Sequence, residues 1–86
     1  MQISVELTLS PLQEDYEKHI ITFIKRLRQS KFEVIETPLS TQVYGDYDEV
    51  MKFLSQEIKK SFEAMEQVLI HMKLVKSNRS NYEPDF

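Results

Sequence analysis

The feature that most constrains this chain is a change in the spacing of its apolar residues. Over residues 3–9 they occupy every second position, which is typical of a strand with one buried face. Over residues 14–29 they recur every three or four positions, which predicts an amphipathic helix. The chain therefore begins with a strand followed by a helix. The apolar positions are Ile3, Val5, Leu7 and Leu9, then Tyr16, Ile20, Phe23, Ile24 and Leu27.

The second half of the chain repeats these two patterns. Residues 32–37 predict a short strand, which Pro38 interrupts before the chain resumes over 39–44, so Pro38 marks either a hairpin turn or a bend between paired strands. Asp46 can cap a second helix over about 47–63, with Glu49 completing a capping box. Residues 68–75 alternate again and predict a last strand.

The order strand, helix, strand, strand, helix, strand predicts an α+β fold with ferredoxin-like βαββαβ topology. Right-handed crossovers place both helices on one face of a four-stranded antiparallel sheet, and the expected strand order is 4-1-3-2. Residues 1–76 are expected to form this single domain, and residues 77–86 a polar C-terminal tail. The other face of the sheet is left open, and function is expected there.

Composition excludes several classes of function. The chain has 86 residues, a net charge of −3 and no cysteine, so a disulfide framework, a thiolate nucleophile and a broad basic surface for nucleic acid are all missing. We interpret the basic run at 25–28 as a solvated helix face. No nucleophile motif, metal-ligand spacing or phosphate-binding loop is present, so we expect no enzyme, no cofactor and no metal. No segment is apolar over the length of a membrane span, and we expect a cytoplasmic protein that does not bind membranes.

The open face is predicted to carry a mixture of polar and apolar side chains. Such a mixture suits burial against another subunit around a small polar ligand. Glu6 on the first strand could equally be an ion-pair partner of Lys73, and His71 and Tyr44 could simply be packing residues. The expected outward residues are Ser4, Glu6, Thr8, Ser10, Glu33, Ile35, Thr37, Ser40, Gln42, Tyr44, Leu69, His71, Lys73 and Val75.

Two stretches resemble a known family. The segment Thr37-Pro38-Leu39-Ser40-Thr41, followed by Gly45-Asp46-Tyr47-Asp48-Glu49-Val50, is similar to the pattern Thr-Pro-Met-(Gly or Ser)-Thr and then Gly-Asp-x-Asp-Glu-Val of the small thiamine-binding proteins. The similarity covers residues 2–76. The resemblance implies a ferredoxin-like fold, homo-oligomers (dimers or tetramers) and binding of thiamine or its hydroxymethylpyrimidine part without turnover.

The ligand-binding residues expected from this resemblance and from the open face are Glu6, Thr8, Thr37, Ser40, Thr41, Tyr44 and His71. A carboxylate can offset the thiazolium cation or accept from the pyrimidine amino group, and a tyrosine ring can stack on either ring. Members often have two threonines in the last strand, where this chain has Ile70 and His71. That difference favours an alternative, in which the open face serves only for oligomerisation or senses another metabolite. A third possibility, an enzyme, would need Glu6 and His71 as its acid/base pair.

Overall fold

Six elements follow one another in the predicted order in the computed structural model, which describes all 86 residues. Their bounds are β1 Gln2–Pro11, α1 Tyr16–Arg28, β2 Glu33–Glu36, β3 Thr41–Asp46, α2 Tyr47–Ala64 and β4 Val68–Lys76. Both helices are close to their predicted lengths, and β1 ends at Pro11, whose nitrogen has no proton to donate to a neighbouring strand.

The four strands form one antiparallel sheet in the order β2-β3-β1-β4, which confirms the predicted topology. The long strand β1 is central, pairing with β3 on one side and with β4 on the other. Its register places Glu6 between Gln42 of β3 and Lys73 of β4. The strands on either side of β1 therefore deliver polar side chains to the middle of the sheet.

The hydrophobic core lies between one face of this sheet and the two helices. The odd-numbered residues of β1 point into it, as the alternation predicts, because a strand turns successive side chains to opposite faces. The fully buried members of the core are Ile3, Val5, Leu7, Phe23, Leu27, Val43, Val50 and Leu54. The even-numbered residues of β1 are consequently on the face that no helix covers.

The segment around Pro38 forms the hairpin turn between β2 and β3. Residues 37–40 close it, with Glu36 and Thr41 as the flanking pair. The Thr37 N–H and hydroxyl both donate to the Ser40 carbonyl, at 2.9 and 3.0 Å, and the same hydroxyl accepts from the Ser40 N–H at 3.1 Å. The Thr37 side chain thereby adds hydrogen bonds to a turn in which Pro38 has no N–H to donate.

The start of α2 follows the sequence prediction in part. Asp46 accepts a hydrogen bond from the Glu49 N–H at 3.4 Å and is the N-cap. The carboxylate of Glu49 does not return to Asp46 as in a complete capping box, because it pairs with Lys31 at 2.9 Å. The cap therefore relies on Asp46 alone.

The basic run at the end of α1 is in part the solvated face expected of it, since Lys25 and Arg28 are exposed and Arg26 is partly buried. Arg26 pairs with Glu57 of α2, and Arg28 pairs with Glu36 of β2. Both guanidinium groups are used to tie α1 to neighbouring elements, and only Lys25 is left exposed without a carboxylate partner. Neither helix has the length and apolarity required to cross a membrane.

Candidate functional site

The open face of the sheet carries a groove of about 910 Å³. Its floor comes from all four strands, and one of its walls comes from the chain that follows β4. The lining residues include one carboxylate, two basic groups and two tyrosines. They are Glu6, Lys73 and Arg79, with Tyr44 and Tyr82, and around them Ser4, Ile35, Gln42, Val75 and Ser80. Val5, whose side chain is in the core, also borders the groove.

Glu6 is the only acidic group in this groove. Its Oε2 atom accepts a hydrogen bond from the Ser40 hydroxyl at 3.0 Å. Its Oε1 atom lies 3.9 Å from the Lys73 ammonium, too far for a direct hydrogen bond, and the side chain remains 43% exposed. The carboxylate is thus oriented by Ser40 and keeps one oxygen available to a ligand donor.

Tyr44 lies on β3 and lines the same groove as Glu6. The residue is buried, and its hydroxyl donates to the Gln42 Oε1 atom at 2.9 Å. Burial, together with the negative charges of Glu33 and Glu6, raises the pKa of the phenol above its ordinary value. The ring is therefore neutral throughout the physiological range, and its position is set by a hydrogen bond as well as by packing.

The chain after β4 turns back across one end of the groove. We refer to residues 77–82 as the C-terminal strap. Ser77 adopts a φ of 96°, in the left-handed region, and its N–H donates to the Gln2 carbonyl at 2.8 Å. The Ser4 hydroxyl donates to the Ser77 carbonyl and accepts from the Arg79 N–H, both at 2.8 Å. The strap thus places Arg79, Ser80 and Tyr82 at the groove.

The structure brings five of the seven expected site residues together. Glu6, Ser40 and Tyr44 lie at or beside the groove, and Thr8 shares with Glu6 an adjoining depression of about 250 Å³. His71 lies opposite Thr8 in the register and lines the same depression. Glu6 and His71 make no hydrogen bond with each other. The Glu6–Lys73 pair anticipated from the sequence is present, though long.

Thr37 and Thr41 are placed elsewhere. Thr41 is buried on the helix side of β3, and Thr37 lies in the hairpin turn. Together with Ser40 they line a small cavity of about 140 Å³ between α1, β1 and the turn, whose other walls are largely apolar. Within one chain they do not reach the groove on the open face, and a contact with ligand stays a prediction for both.

Three of the groove residues were not foreseen from the sequence as site residues. Arg79, Ser80 and Tyr82 belong to the C-terminal tail, where no apolar periodicity indicates structure. The only sequence feature that bears on their position is Ser4 of β1. It is a small hydroxyl residue on the open face, opposite Val75 near the end of β4. Hydrogen bonding by that hydroxyl is what fixes the tail.

The helix side of the sheet offers no comparable site. A second groove of about 520 Å³ lies on the helix side, between α2 and β4, and its lining is mainly apolar, with Met51, Ile58, Phe62 and Met72. It lacks convergent polar groups of the kind that orient a small polar ligand. No group of three or more histidine, aspartate or glutamate side chains is arranged to hold a metal ion.

Similar structures support the fold assignment. A Streptococcus pneumoniae protein superposes with a TM-score of 0.84 at 24% identity, covering 91% of this chain and 89% of its own. A putative thiamine biosynthesis/salvage protein from Thermotoga maritima gives 0.81 at 15% identity, covering 90% and 85%. A hypothetical protein from Methanocaldococcus jannaschii gives 0.73 at 19% identity, covering 95% and 84%. At these identities the likeness establishes the fold.

Comparison at the level of sequence gives the family. No curated protein sequence matches the chain. The model of the family described as thiamine-binding protein matches residues 5–83, which include most of β1, all the other helices and strands, and the C-terminal strap. The matched span is nearly the whole chain and contains every residue of the groove except Ser4. The chain therefore belongs to the thiamine-binding protein family.

Proposed function

We propose that this protein binds thiamine or a related pyrimidine, without chemical turnover, in the groove on the open face of its sheet. The observation that carries the proposal is the position of Glu6. It is a half-exposed carboxylate on the central strand, oriented by Ser40, beside an immobilised aromatic ring. Membership of the thiamine-binding family and the putative salvage role of the Thermotoga maritima protein support the same ligand class.

Glu6 has the chemistry to recognise an aminopyrimidine. An amino group is a donor, and the free Oε1 atom of Glu6 is an acceptor. A hydrogen bond to an ionised acceptor is stronger than one between neutral groups, about 1.5–3 kcal/mol. Ser40 contributes by keeping the second oxygen engaged, so that the carboxylate has one preferred orientation.

Tyr44 contributes an aromatic ring to the lining of the groove, where a ligand ring could pack against its accessible part. Aromatic rings attract one another in offset or edge-to-face arrangements, by about 0.5–1.5 kcal/mol beyond the burial of area. The Gln42 bond to the phenol hydroxyl and the burial of the residue hold the ring in position before a ligand arrives. Little conformational entropy then has to be lost on binding.

We also propose that the binding form is a homo-oligomer in the cytoplasm, a dimer or a tetramer. The groove is wide open, and small-ligand sites usually bury most of the ligand. A second chain stacked over the open face would supply the missing cover. Only 14 of 86 residues are buried in the single chain, so association would also add stability. Sedimentation across a concentration series, with melting temperature followed in parallel, tests this part; a monomer that melts at the same temperature at every dilution would contradict it.

Titration calorimetry with thiamine and with hydroxymethylpyrimidine tests the ligand. We expect saturable binding by at least one of them, and a rise in melting temperature of several degrees at about a hundredfold excess over Kd. Glu6→Gln keeps the shape of the side chain but removes its charge, and we expect affinity to fall by about tenfold or more. Glu66→Gln, the same change at an exposed position after α2, is the control and is expected to bind normally.

Two results would overturn the ligand proposal. One is the absence of saturable heat with either compound at millimolar concentration. The other is equal binding by the Glu6→Gln and Glu66→Gln variants, which would place the ligand away from the groove. In either case the open face is better explained as a surface for oligomerisation or for sensing another metabolite.

A further inference from the structure

The C-terminal strap is fastened to the sheet at several points close together. Ser4 bonds to both Ser77 and Arg79, and the Asn78 side chain accepts from the Ser80 N–H and hydroxyl at 2.9 and 2.6 Å. The Tyr82 N–H then donates to the Arg79 carbonyl at 3.1 Å, which closes a further turn. These hydrogen bonds fix the backbone of the strap beside the groove. They therefore also fix the position from which the Arg79 side chain extends at the edge of the groove.

Arg79 is the one arginine of the chain without a carboxylate partner. Arg26 and Arg28 pair with Glu57 and Glu36, whereas the only side-chain bond of Arg79 runs from its Nε atom to the Ser77 hydroxyl at 2.9 Å. The terminal nitrogens of its guanidinium are therefore available at the groove. An arginine fork of this kind suits two-point recognition of a phosphate or carboxylate group.

The cations of the groove support the same ligand chemistry. Its lining contains Lys73 and Arg79 and one carboxylate, Glu6, while Glu33 on the neighbouring strand β2 brings a second carboxylate close to Tyr44. Thiamine itself carries a permanent positive charge on its thiazolium ring and offers no anionic group to Arg79. A phosphate monoester adds about −1.5 to −2 at neutral pH, so a phosphorylated thiamine presents an anionic group to these cations. The unpaired guanidinium of Arg79 thus favours the ester over the free alcohol.

We propose that the C-terminal strap is part of the binding site, and that Arg79, assisted by Lys73, selects ligands that carry a phosphate ester. The inference rests on the proposed function, since it names the form of thiamine or pyrimidine that the groove prefers. Glu6 and Tyr44 contact the rings, and Arg79 contacts the phosphate oxygens at the end of the groove that the strap covers.

The test compares thiamine with thiamine monophosphate by titration calorimetry, at low and at high salt. We expect the wild-type protein to bind the monophosphate about tenfold or more tightly than thiamine, because charge-assisted hydrogen bonds form only with the ester. Arg79→Gln is expected to lower that ratio to about threefold or less, mainly through lost affinity for the monophosphate, with Lys73 responsible for the preference that remains. Arg79→Lys retains the charge without the fork and should give an intermediate ratio.

The matched control is Lys25→Gln, which removes one positive charge from an exposed position on α1, behind the sheet. It should preserve the full preference for the ester, and a loss there equal to that of Arg79→Gln would show that net charge alone is responsible. A parallel titration with inorganic pyrophosphate, followed by NMR at the Arg79 amide and guanidinium, reports on the anion site without any ring. We expect pyrophosphate to change the chemical shifts of both groups in the wild-type protein. In Arg79→Gln we expect no change at the backbone amide of residue 79.

The possible results of these titrations distinguish the phosphate preference from the proposed binding of thiamine or a related pyrimidine, on which it rests. If thiamine and its monophosphate bind equally, in a manner insensitive to Arg79, the phosphate preference is wrong and the proposed function stands. If neither ring compound binds but pyrophosphate binds through Arg79, the anion site is real and the proposed function is wrong. If no compound binds, both are overturned.

Discussion

The guanidinium of Arg26 on α1 lies 3.0 Å from the carboxylate of Glu57 on α2. Glu57 is only 7% exposed, and Lys60 approaches its other oxygen at 3.2 Å. The Arg26 Nε–H is not aligned with the nearby oxygen, and neither of those two atoms has a hydrogen bond. The contact is therefore an ion pair without good hydrogen-bond geometry, supplemented by a bond from Arg26 to the Ser61 hydroxyl at 3.3 Å.

Removing the charge of Glu57 should destabilise the packing of the two helices. In Glu57→Gln the Arg26 guanidinium loses its counter-charge in a largely desolvated position. We expect the free energy of unfolding to fall by about 2 kcal/mol, less than the 3–5 kcal/mol of a fully buried pair because Arg26 keeps some solvent contact. Lys60→Gln removes an exposed partner of the same carboxylate and should cost about 0.5 kcal/mol. Urea denaturation measures both, and equal losses would contradict the interhelical role.

Gly45 is the single glycine of the chain, and its absence of a side chain is required by packing. A Cβ atom built there would lie 2.8 Å from the Cδ1 atom of Phe32 and 3.0 Å from a methyl group of Val50. Phe32 cannot easily move, because its ring packs against Phe53 with centroids 5.5 Å apart. The glycine of the Gly-Asp-x-Asp-Glu-Val segment therefore makes room for an aromatic side chain.

We expect Gly45→Ala to lower the free energy of unfolding by about 1–3 kcal/mol through overpacking. Phe32→Leu removes the ring atoms that the new methyl would meet, so the double variant should lose less than the sum of the two single variants. Denaturation of the four proteins of this cycle gives the coupling directly. Strict additivity would show that the cost of Gly45→Ala has another origin.

The fold was accessible from the sequence because local pattern and global packing agree in it. The alternation in β1 and the apolar stripes of α1 and α2 each bury one face, and the order of the elements leaves few topologies. The role of Arg26 was not accessible, since a basic residue near a helix end looks solvated until the partner helix is placed. Glu57, an acidic residue on a polar-looking face of α2, gave no sign of burial.

The site was predicted to the extent that strand alternation determines it. Alternation alone placed Glu6, Tyr44 and Lys73 on the open face. The same alternation puts Thr41 on the helix side, so its choice as a site residue rested on the family resemblance alone. Alternation could not place Arg79, whose position depends on hydrogen bonds between the Ser4 hydroxyl and a segment without periodicity. Ser4 and Arg79 are 75 residues apart in the sequence, and a hydrogen bond between such distant residues produces no pattern in the local sequence.

Asp46 should make stability depend on pH in the acidic range. Its hydrogen bond from the Glu49 N–H holds the pKa of its carboxyl below the ordinary 3.8 in the folded chain. Between the folded and the unfolded pKa the unfolded chain binds more protons, so stability rises with pH there. The contribution is fully present above the unfolded pKa and is lost as the pH falls through the folded one.

The variant Asp46→Asn keeps a side-chain acceptor for the helix start but cannot titrate. We expect the wild type to be the more stable protein at pH 7 and the difference to shrink as the pH falls from about 5 to 2. Asp48→Asn, two residues further along in the first turn of α2, removes a charge without removing the cap. Its stability difference from the wild type should depend less on pH. Thermal melts at closely spaced pH values would make this comparison, and a difference that is constant with pH would contradict the assignment.

Thr37 gives the last prediction, because its hydroxyl organises the turn between β2 and β3. It donates to the Ser40 carbonyl and accepts from the N–H groups of Leu39 and Ser40, at 3.3 and 3.1 Å. Thr37→Val preserves the shape of the side chain and removes these bonds, and we expect a loss of about 1 kcal/mol in the free energy of unfolding. Thr37→Ser keeps the hydroxyl and should retain most of the stability. Because Ser40 also orients Glu6, the loosened turn of Thr37→Val should weaken ligand binding slightly, whereas Thr37→Ser should not. Denaturation and calorimetry on the two variants provide the measurement, and equal stability of the valine and serine proteins would show that the hydroxyl does not hold the turn.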